Sequence, residues 1–260
     1  MSTMISDQQV HTPNRLEDAL QFLADHCDEG WRPLAGGTDV MVGLYRDRTG
    51  GSRWLNLCRL RPQLAGIGRV DQLIRIGAST TMTELRGSSL LDEVCPLIGQ
   101  AAAAVGAVQI QNRATVGGNI ANSSPAGDTL PVWLVLDAEL ELQSIRGCRQ
   151  VPYIQFLTGY RRTVLEADEL LTAVLFAPRS GAMSRMYFRK VAPRAAQGIS
   201  KLVYAAIAEL AGGCYRNVRL AFGGVGPTTL RARTAEQQAE GEPPSLRLGE
   251  QAAELLARDL

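Results

Sequence analysis

Two glycine-bearing stretches decide how this sequence is interpreted: LAGGTD at residues 34–39 and TVGGNIANSSPAGD at residues 115–128. Paired glycines allow a positive φ and let the backbone approach a ligand closely. Successive N–H groups in such a turn can surround an anion, and a following helix adds the positive end of its dipole. The first stretch follows a short apolar run and precedes a predicted helix. It is therefore a candidate phosphate-binding turn, with an ordinary tight turn as the alternative.

The second stretch adds small polar side chains to its paired glycines. These side chains are Asn119, Asn122, Ser123, Ser124 and Asp128. Apolar segments flank the stretch on both sides, so burying it without hydrogen-bond partners would be costly. A bound polar ligand would supply the partners. A solvated surface loop is the alternative.

Other catalytic motifs are missing from the sequence. It contains no P-loop, and Gly66-Ile67-Gly68 lacks the third glycine of a dinucleotide-binding fingerprint. The two histidines, His11 and His26, are better explained as solvent-exposed side chains than as catalytic ones. No Ser-His-Asp or Cys-His set can be assembled. Binding loops without acid–base or nucleophilic groups favour a protein that holds a cofactor and lets the cofactor do the chemistry.

Composition excludes several classes of protein. The 260 residues are 45% apolar, and 27 basic against 26 acidic side chains give a net charge of +1, which argues against phosphate-driven nucleic-acid binding. No apolar run is long enough to span a membrane, and the first residues do not resemble a secretory signal. The five cysteines are scattered, with no pair at metal-ligand spacing. We therefore expect a cytoplasmic α+β protein with reduced cysteines and no metal site.

Helix and strand patterns are clearest in the first third of the chain. Residues 31–35 and 54–57 predict short strands on either side of a helix at 39–45, which is a β-α-β unit with parallel pairing. Residues 46–52 are charged and rich in glycine, and they predict a loop. Capping boxes are expected where Asn14 faces Glu17 and where Thr81 faces Glu84.

A different pattern begins after a candidate domain boundary near residue 178. Two apolar runs at 199–210 and 218–225 flank Gly212-Gly213, which predicts an antiparallel hairpin. By periodicity alone, the first run could equally be a buried helix. Two helices are expected near the end, at 234–241 and 249–260.

The two glycine stretches, in this order and about eighty residues apart, resemble the flavin-binding subunit of the molybdenum hydroxylases. That family includes subunits of xanthine, carbon monoxide and nicotinate dehydrogenases. Four further segments support the resemblance: WLNL at 54–57, IGASTT at 76–81, YFRKV at 187–191 and AFGGVGP at 221–227. The match covers about residues 9–256. Members of the family continue beyond the point where this sequence ends, at Asp259-Leu260, so the resemblance implies a difference in the C-terminal region.

The resemblance implies an α+β fold. Residues 1–178 would form a vanillyl-alcohol-oxidase/PCMH-type FAD-binding domain of two α+β subdomains, about 1–58 and 59–178. Residues 179–260 would form a small C-terminal α+β domain with a three-stranded antiparallel sheet. FAD would lie extended between the two subdomains.

The resemblance also assigns cofactor-binding residues. One side of the pyrophosphate would be wrapped by Ala35, Gly36, Gly37, Thr38, Asp39 and Val40. The other side would be covered by Thr115, Gly117, Gly118 and Asn119. Further positions that match cofactor contacts of the family are Asn122, Ser124 and Asp128. Lys201 falls near a family lysine close to the flavin ring, and an exposed strand residue is the equal alternative.

The implied activity is electron transfer through FAD. A molybdenum-cofactor large subunit would oxidise the substrate, and iron–sulfur (2Fe-2S) clusters of a small subunit would pass electrons to the FAD bound here. The electrons would leave to NAD or another acceptor, within a heterotrimer or its dimer. A free-standing FAD-dependent oxidase of the same fold is the main alternative. A scaffold that has lost its flavin is a third, and the intact glycine pairs disfavour it.

Overall fold

The computed structural model describes residues 8–45, 53–179, 184–194 and 196–259. The loop predicted at residues 46–52 lies outside this part of the chain. Helices and strands alternate in three successive regions, each built around one main sheet.

The first region is a small parallel sheet with two helices. Its elements are β1 (Gln9–His11), α1 (Leu16–Asp25), β2 (Arg32–Leu34), α2 (Thr38–Tyr45) and β3 (Arg53–Asn56). The strand order is β1-β3-β2, and both pairings are parallel. The predicted β-α-β unit is thus confirmed, because β2 and β3 pair in parallel across α2.

The start of α1 differs from the predicted capping box. Arg15 occupies the position before the first helical residue, and no side chain caps the helix. Asn14 instead accepts a hydrogen bond from Arg59 Nη1 at 3.0 Å. Asn14 therefore binds a distant arginine and does not cap α1, although its spacing from Glu17 predicts a cap. The second predicted box is confirmed, since Thr81 and Glu84 cap each other's backbone N–H groups.

The second region contains the larger core. Its first half consists of α3 (Arg61–Leu64), β4 (Ile67–Val70), β5 (Leu73–Gly77), α4 (Met82–Arg86), α5 (Ser89–Val94), α6 (Pro96–Ala104), α7 (Val108–Gln111), α8 (Val116–Asn122) and α9 (Leu130–Val135). Its second half consists of β6 (Glu139–Ser144), β7 (Gly147–Pro152), α10 (Tyr153–Phe156), β8 (Leu157–Gly159), β9 (Arg162–Thr163) and β10 (Leu170–Phe176).

An antiparallel five-stranded sheet of order β4-β5-β10-β6-β7 organises this region. β10 lies at its centre, and all seven of its residues are buried. The helix α9 is likewise buried along its whole length, with Trp133 fully enclosed. Burial of such large side chains contributes on the order of 1.5–3 kcal/mol each. This core fixes the chain on both sides of residues 115–128.

The third region is a twisted antiparallel sheet covered on one side by two helices. Its elements are β11 (Ser184–Val191), β12 (Leu202–Ala211), β13 (Cys214–Gly223), β14 (Leu230–Arg231), α11 (Arg233–Ala239) and α12 (Leu246–Asp259). The predicted hairpin is confirmed: β12 and β13 pair antiparallel around Gly212-Gly213, where both glycines have a positive φ. The periodicity of the first run therefore belongs to a strand and not to a helix.

The predicted number of strands in this sheet is wrong. The sheet has four strands, in the order β11-β12-β13-β14, where three were expected. The fourth strand has only two residues, and they pair with Ala221 and Phe222. Two residues cannot show an alternating pattern, so the sequence carries no periodic signal for this strand.

A buried carboxylate stabilises the edge of the five-stranded sheet. Arg149 forms a two-pronged ion pair with Glu169, with Nε–Oε1 and Nη2–Oε2 distances of 2.6 and 2.7 Å. Glu169 also accepts the N–H of Glu166 at 3.0 Å. Its side chain is only 3% exposed. The hydrogen bonds from Arg149 lower the pKa of Glu169 below its ordinary value of 4.5, although burial opposes them.

We expect this carboxylate to make stability depend on pH in the acid range. Because the folded-state pKa is lowered, the contribution of Glu169 is complete above about pH 4.5 and is lost as the pH falls through the folded-state value. The urea midpoint should therefore fall more steeply with acidification in the wild type than in Glu169→Gln. Glu17→Gln, at an exposed ion pair, is the matched control and should leave the slope unchanged. Equal slopes in all three proteins would contradict the assignment.

Across the described residues, no helix combines the length and the apolar character needed to cross a membrane. In the same residues, no group of three or more His, Cys, Asp or Glu side chains is arranged to hold a metal ion.

Candidate functional site

The turn between β2 and α2 presents a row of free N–H groups. Within the described part of the chain, the backbone N–H groups of residues 36–40 donate to no protein acceptor, and the first helical hydrogen bond runs from Met41 N to Gly37 O at 2.9 Å. These groups lie at the N-terminus of an eight-residue helix. The positive end of the helix dipole therefore coincides with unpaired donors, which suits an anionic ligand.

The two glycines of this turn have different tasks. Gly37 has a φ of +76°, a conformation that costs other residues about 1–2 kcal/mol. Gly36 is needed for close approach, because a Cβ there would lie 1.9 Å from Arg113 O and 2.7 Å from Arg113 C. The first glycine stretch is thus in direct backbone contact with the segment that leads into the second. The sequence predicted that the two stretches face one ligand, and the structure brings them together.

The backbone N–H groups of residues 116–118, in the second stretch, donate to acceptors within the protein. Val116 N donates to Thr80 O at 2.9 Å, and Gly117 N donates to Ala78 O at 2.8 Å. Gly118 N donates to Thr115 Oγ1 at 3.1 Å, which caps α8. Gly117 and Gly118 both lie inside this helix, and neither has a positive φ. Residues 116–118 therefore cannot form a second anion-binding turn of the kind found at residues 36–40.

Gly117 serves close packing instead. A Cβ at Gly117 would lie 2.6 Å from Ala78 Cβ and 3.0 Å from Ala78 O. The glycine lets α8 lie directly on the end of β5. The second stretch thus forms a rigid wall beside the first, and its side chains are the groups free to contact a ligand.

A cleft of about 470 Å³ opens where the two stretches meet. Its wall from the first region includes Ala35, Gly36 and Leu57, and its wall from the second region includes Ser79, Thr81 and Thr115. Arg61 and Arg113 also line it. Sequence reasoning missed both arginines, because neither stands in a recognisable motif. The cleft lies between the segments expected to form two subdomains.

The polar side chains of α8 and of the residues just after it are partly committed. Thr129 Oγ1 donates to Asn119 Oδ1 at 2.6 Å, which leaves the amide NH₂ of Asn119 available as a donor. Ser123 adopts a left-handed conformation with a φ of +46°, and its buried hydroxyl has no partner in the described structure. Asn122 and Ser124 are half-buried. Residues 119–124 therefore retain unused hydrogen-bonding capacity in a partly buried segment.

Asp128 is held from the third region. Lys190 Nζ lies 2.8 Å from Asp128 Oδ2, and Ser200 Oγ lies 2.5 Å from Asp128 Oδ1. Burial raises the pKa of Asp128, against the lowering effect of these two donors. Lys201, the neighbouring residue, is exposed and immediately precedes β12. Lys190 is a functional candidate that the sequence did not single out, since its partner is 62 residues away.

The two histidines lie outside this cleft. His11 and His26 are half-buried and both stack on Phe22, with ring-centroid distances of 4.0 and 4.2 Å. They pack against the outer side of the first region and take no part in the candidate site.

Two family models match the chain. The family model described as the FAD binding domain in molybdopterin dehydrogenase matches residues 5–179. The model of the CO dehydrogenase flavoprotein C-terminal domain matches residues 187–260.

Two similar proteins align with almost the whole chain. The xanthine dehydrogenase FAD-binding subunit of Escherichia coli is 36% identical over 258 residues, which is 99% of this chain and 87% of that protein. The nicotinate dehydrogenase FAD-subunit of Eubacterium barkeri is 32% identical, over 92% of this chain and 81% of that one.

Solved structures share the fold. Carbon monoxide dehydrogenase from Hydrogenophaga pseudoflava superposes with a TM-score of 0.90 at 25% identity, covering 95% of this chain and 85% of the other. Quinoline 2-oxidoreductase from Pseudomonas putida gives a TM-score of 0.88, also at 25% identity, covering 96% of this chain and 85% of the other. The chain therefore belongs to the family of FAD-binding subunits of the molybdenum hydroxylases, and it is the flavoprotein component of an oxidoreductase of that family.

Proposed function

We propose that the chain binds FAD with the pyrophosphate at residues 36–40, in the cleft between subdomains at about 1–58 and 59–178. One observation carries the proposal: within the described residues, the five successive N–H groups of residues 36–40 have no protein acceptor, and they lie at the N-terminus of α2. A diphosphate is a ligand that satisfies several such donors at once. Gly36 and Gly37 shape the turn, while Ala35, Thr38, Asp39 and Val40 complete it.

The second stretch contributes through side chains and shape. In this proposal Thr115, Gly117 and Gly118 form the rigid wall opposite the turn, since their backbone groups are bonded internally. The free amide of Asn119 donates to the cofactor, and Asn122, Ser124 and Asp128 offer further polar contacts. Lys201 is proposed to lie near the flavin ring. The buried and unpartnered hydroxyl of Ser123 supports a polar ligand beside this segment.

The chemistry belongs to the cofactor, and the protein's residues bind and orient it. FAD, when bound, supplies a carrier that can take up and release electrons. The residues of this chain hold its diphosphate, exclude water from the cleft and keep the two subdomains together. We propose that electrons arrive from 2Fe-2S clusters of a small partner subunit and leave to NAD or another acceptor. A large subunit with the molybdenum cofactor would oxidise the substrate.

We also propose how the chain divides into domains and how its complex is assembled. We place a boundary near residue 178, between an FAD-binding domain at 1–178 and a small C-terminal domain at 179–260. The complex is expected to be a cytoplasmic heterotrimer. The similarity to proteins named as FAD-binding subunits favours this over a free-standing oxidase.

A comparison of three flavins tests the cofactor assignment. The purified chain, freed of flavin, is titrated with FAD, FMN and riboflavin, and the quenching of flavin fluorescence is followed. Because the turn at residues 36–40 is assigned to a diphosphate, we expect FAD to bind on the order of a hundredfold more tightly than riboflavin, with FMN between them. Equal affinity for all three flavins would contradict the pyrophosphate assignment.

The composition of the native complex tests the partners. The tagged chain is isolated from the organism that naturally produces it. Flavin, iron and molybdenum are then measured per chain. We expect one flavin together with iron and molybdenum in co-purifying subunits. A yellow chain that is isolated without iron or molybdenum would favour the free-standing oxidase.

A further inference from the structure

One buried carboxylate joins the cofactor-binding part of the chain to its C-terminal sheet. Asp128 and Lys190 are 10% and 12% exposed and form an ion pair at 2.8 Å. Lys190 Nζ also donates to Ala104 O, at the last residue of α6, at 2.9 Å. Ser200 adds its hydroxyl to the second carboxylate oxygen of Asp128. Both donors to Asp128 thus come from residues beyond the proposed domain boundary.

Backbone contacts from the third region hold the same segment and also the chain just after α6. Gly224 N donates to Pro125 O at 2.8 Å, and Gln197 N donates to Gly106 O at 3.0 Å. Gly224 has a φ of +84°, and a Cβ there would lie 2.8 Å from Lys201 O. Only a glycine fits this contact without displacing the chain. The position of residues 125–128 is therefore set by the C-terminal sheet as well as by α8 and α9.

The charge of Lys190 matters for an anionic cofactor. An ionised carboxylate can accept about four hydrogen bonds. Lys190 and Ser200 supply two of them, so Asp128 keeps acceptor capacity for hydroxyl donors of a ligand. Without Lys190, the buried carboxylate of Asp128 would lose its cationic partner, and an unpaired buried charge is costly.

We propose that Lys190 is a positioning residue for the cofactor: it neutralises and orients Asp128, so that flavin retention depends on this ion pair. This inference rests on the proposed function, because it assumes that Asp128 faces the bound FAD. Lys190 itself holds Asp128 and the end of α6.

The test measures FAD affinity and stability on the same full-length variants. Lys190→Met removes the charge and keeps much of the side-chain volume, and we expect the Kd for FAD to rise at least about tenfold. Lys190→Arg should recover most of the affinity. In Lys190→Met/Asp128→Asn the unpaired charge is gone while an acceptor oxygen remains, so binding should improve over the single variant.

A matched control separates positioning from general destabilisation. Arg231→Met removes another buried cation that ties the second and third regions together, away from residues 115–128. It should lower the urea midpoint of the flavin-free protein and leave the Kd for FAD within about threefold of wild type. Equal losses of FAD affinity in Lys190→Met and Arg231→Met at matched stability would overturn the proposal.

The outcomes distinguish this inference from the proposed function. Failure of the wild type to bind FAD would reject the proposed function itself. Tight binding by the wild type and by Lys190→Met alike would reject only the role of Lys190. Should Lys190→Met fail to fold, Ser200→Ala removes the other donor to the same carboxylate and is expected to raise the Kd about threefold or more. An unchanged Kd in that variant would also reject the inference.

Discussion

Gly36→Ala is expected to abolish FAD retention. The added Cβ would lie 1.9 Å from Arg113 O and 3.2 Å from Ala114 Cα, and both are backbone atoms that cannot rotate away. The turn at residues 36–40 must then separate from the second glycine stretch, and its N–H groups move away from the position proposed for the diphosphate. Losing several charge-assisted hydrogen bonds should raise the Kd for FAD by on the order of a hundredfold or more.

Two glycine variants provide controls for this prediction. Gly37→Ala meets only Leu34 Cδ1, at 3.6 Å, so its main effect is strain at a φ of +76°. We expect an intermediate loss of FAD affinity, on the order of tenfold. Gly30→Ala has nearly the same φ, +75°, with no atom within 4 Å of the new Cβ. It carries the same backbone strain at another turn and should leave the affinity unchanged.

Fluorescence titration of the flavin-free variants gives the result directly. Full flavin occupancy in Gly36→Ala would mean that the contact between the two stretches is not required for binding. The pyrophosphate would then have to be placed elsewhere in the chain. A loss of affinity in Gly30→Ala as large as that in Gly36→Ala would point to a general effect on folding.

Local sequence signals predicted the elements that local interactions determine. The parallel unit around α2, the cap formed by Thr81 and Glu84, and the hairpin at Gly212-Gly213 all follow from short-range spacing, and the structure confirms each. The first glycine stretch was assigned correctly as a turn with a positive φ. The strand β14 was not predicted, because its two residues are too few to show an alternating pattern of apolar and polar side chains.

Identical sequence patterns served different structural purposes at the two glycine pairs. Gly37 is required for its positive φ, whereas Gly117 is required for contact with Ala78 inside a helix. A Gly-Gly pair does not distinguish these uses, because the difference arises from which distant strand packs beside it. For this reason the backbone N–H groups of residues 116–118 are bonded within the protein, whereas those of residues 36–40 have no acceptor among the described residues.

Long-range ionic contacts were likewise beyond the sequence. Lys190 meets Asp128, and Arg231 meets Asp137, across separations of 62 and 94 residues. Arginine and lysine are usually solvated, so composition gives no reason to expect either one buried. The packing of the C-terminal sheet on α6 and α9 encloses these two side chains.

Arg231 lies at the centre of that packing, in a network that links α9 to the C-terminal sheet. Its side chain is 5% exposed and forms ion pairs with Asp137 at 2.8 Å and with Glu236 at 2.5 Å. It also donates to Leu134 O, near the end of α9, at 3.2 Å. Although burial opposes it, hydrogen bonding and charge from Arg219 and Arg231 hold the pKa of Asp137 below its ordinary value. The guanidinium of Arg231 thus pairs with two carboxylates and donates to a carbonyl oxygen near the end of α9.

Arg231→Met is therefore expected to lower the free energy of unfolding by about 3–5 kcal/mol, because it leaves Glu236 buried with an uncompensated charge. Glu236 is 10% exposed, and among the described residues it then retains only the N–H of Leu220 as a donor, at 2.7 Å. Arg15→Met, at a pair whose side chains are 69% and 67% exposed, should change the free energy by less than about 1 kcal/mol. Urea denaturation of both variants measures the difference. A loss in Arg231→Met no larger than that in Arg15→Met would show that the network is solvated, and that apolar packing alone holds the C-terminal sheet against α9.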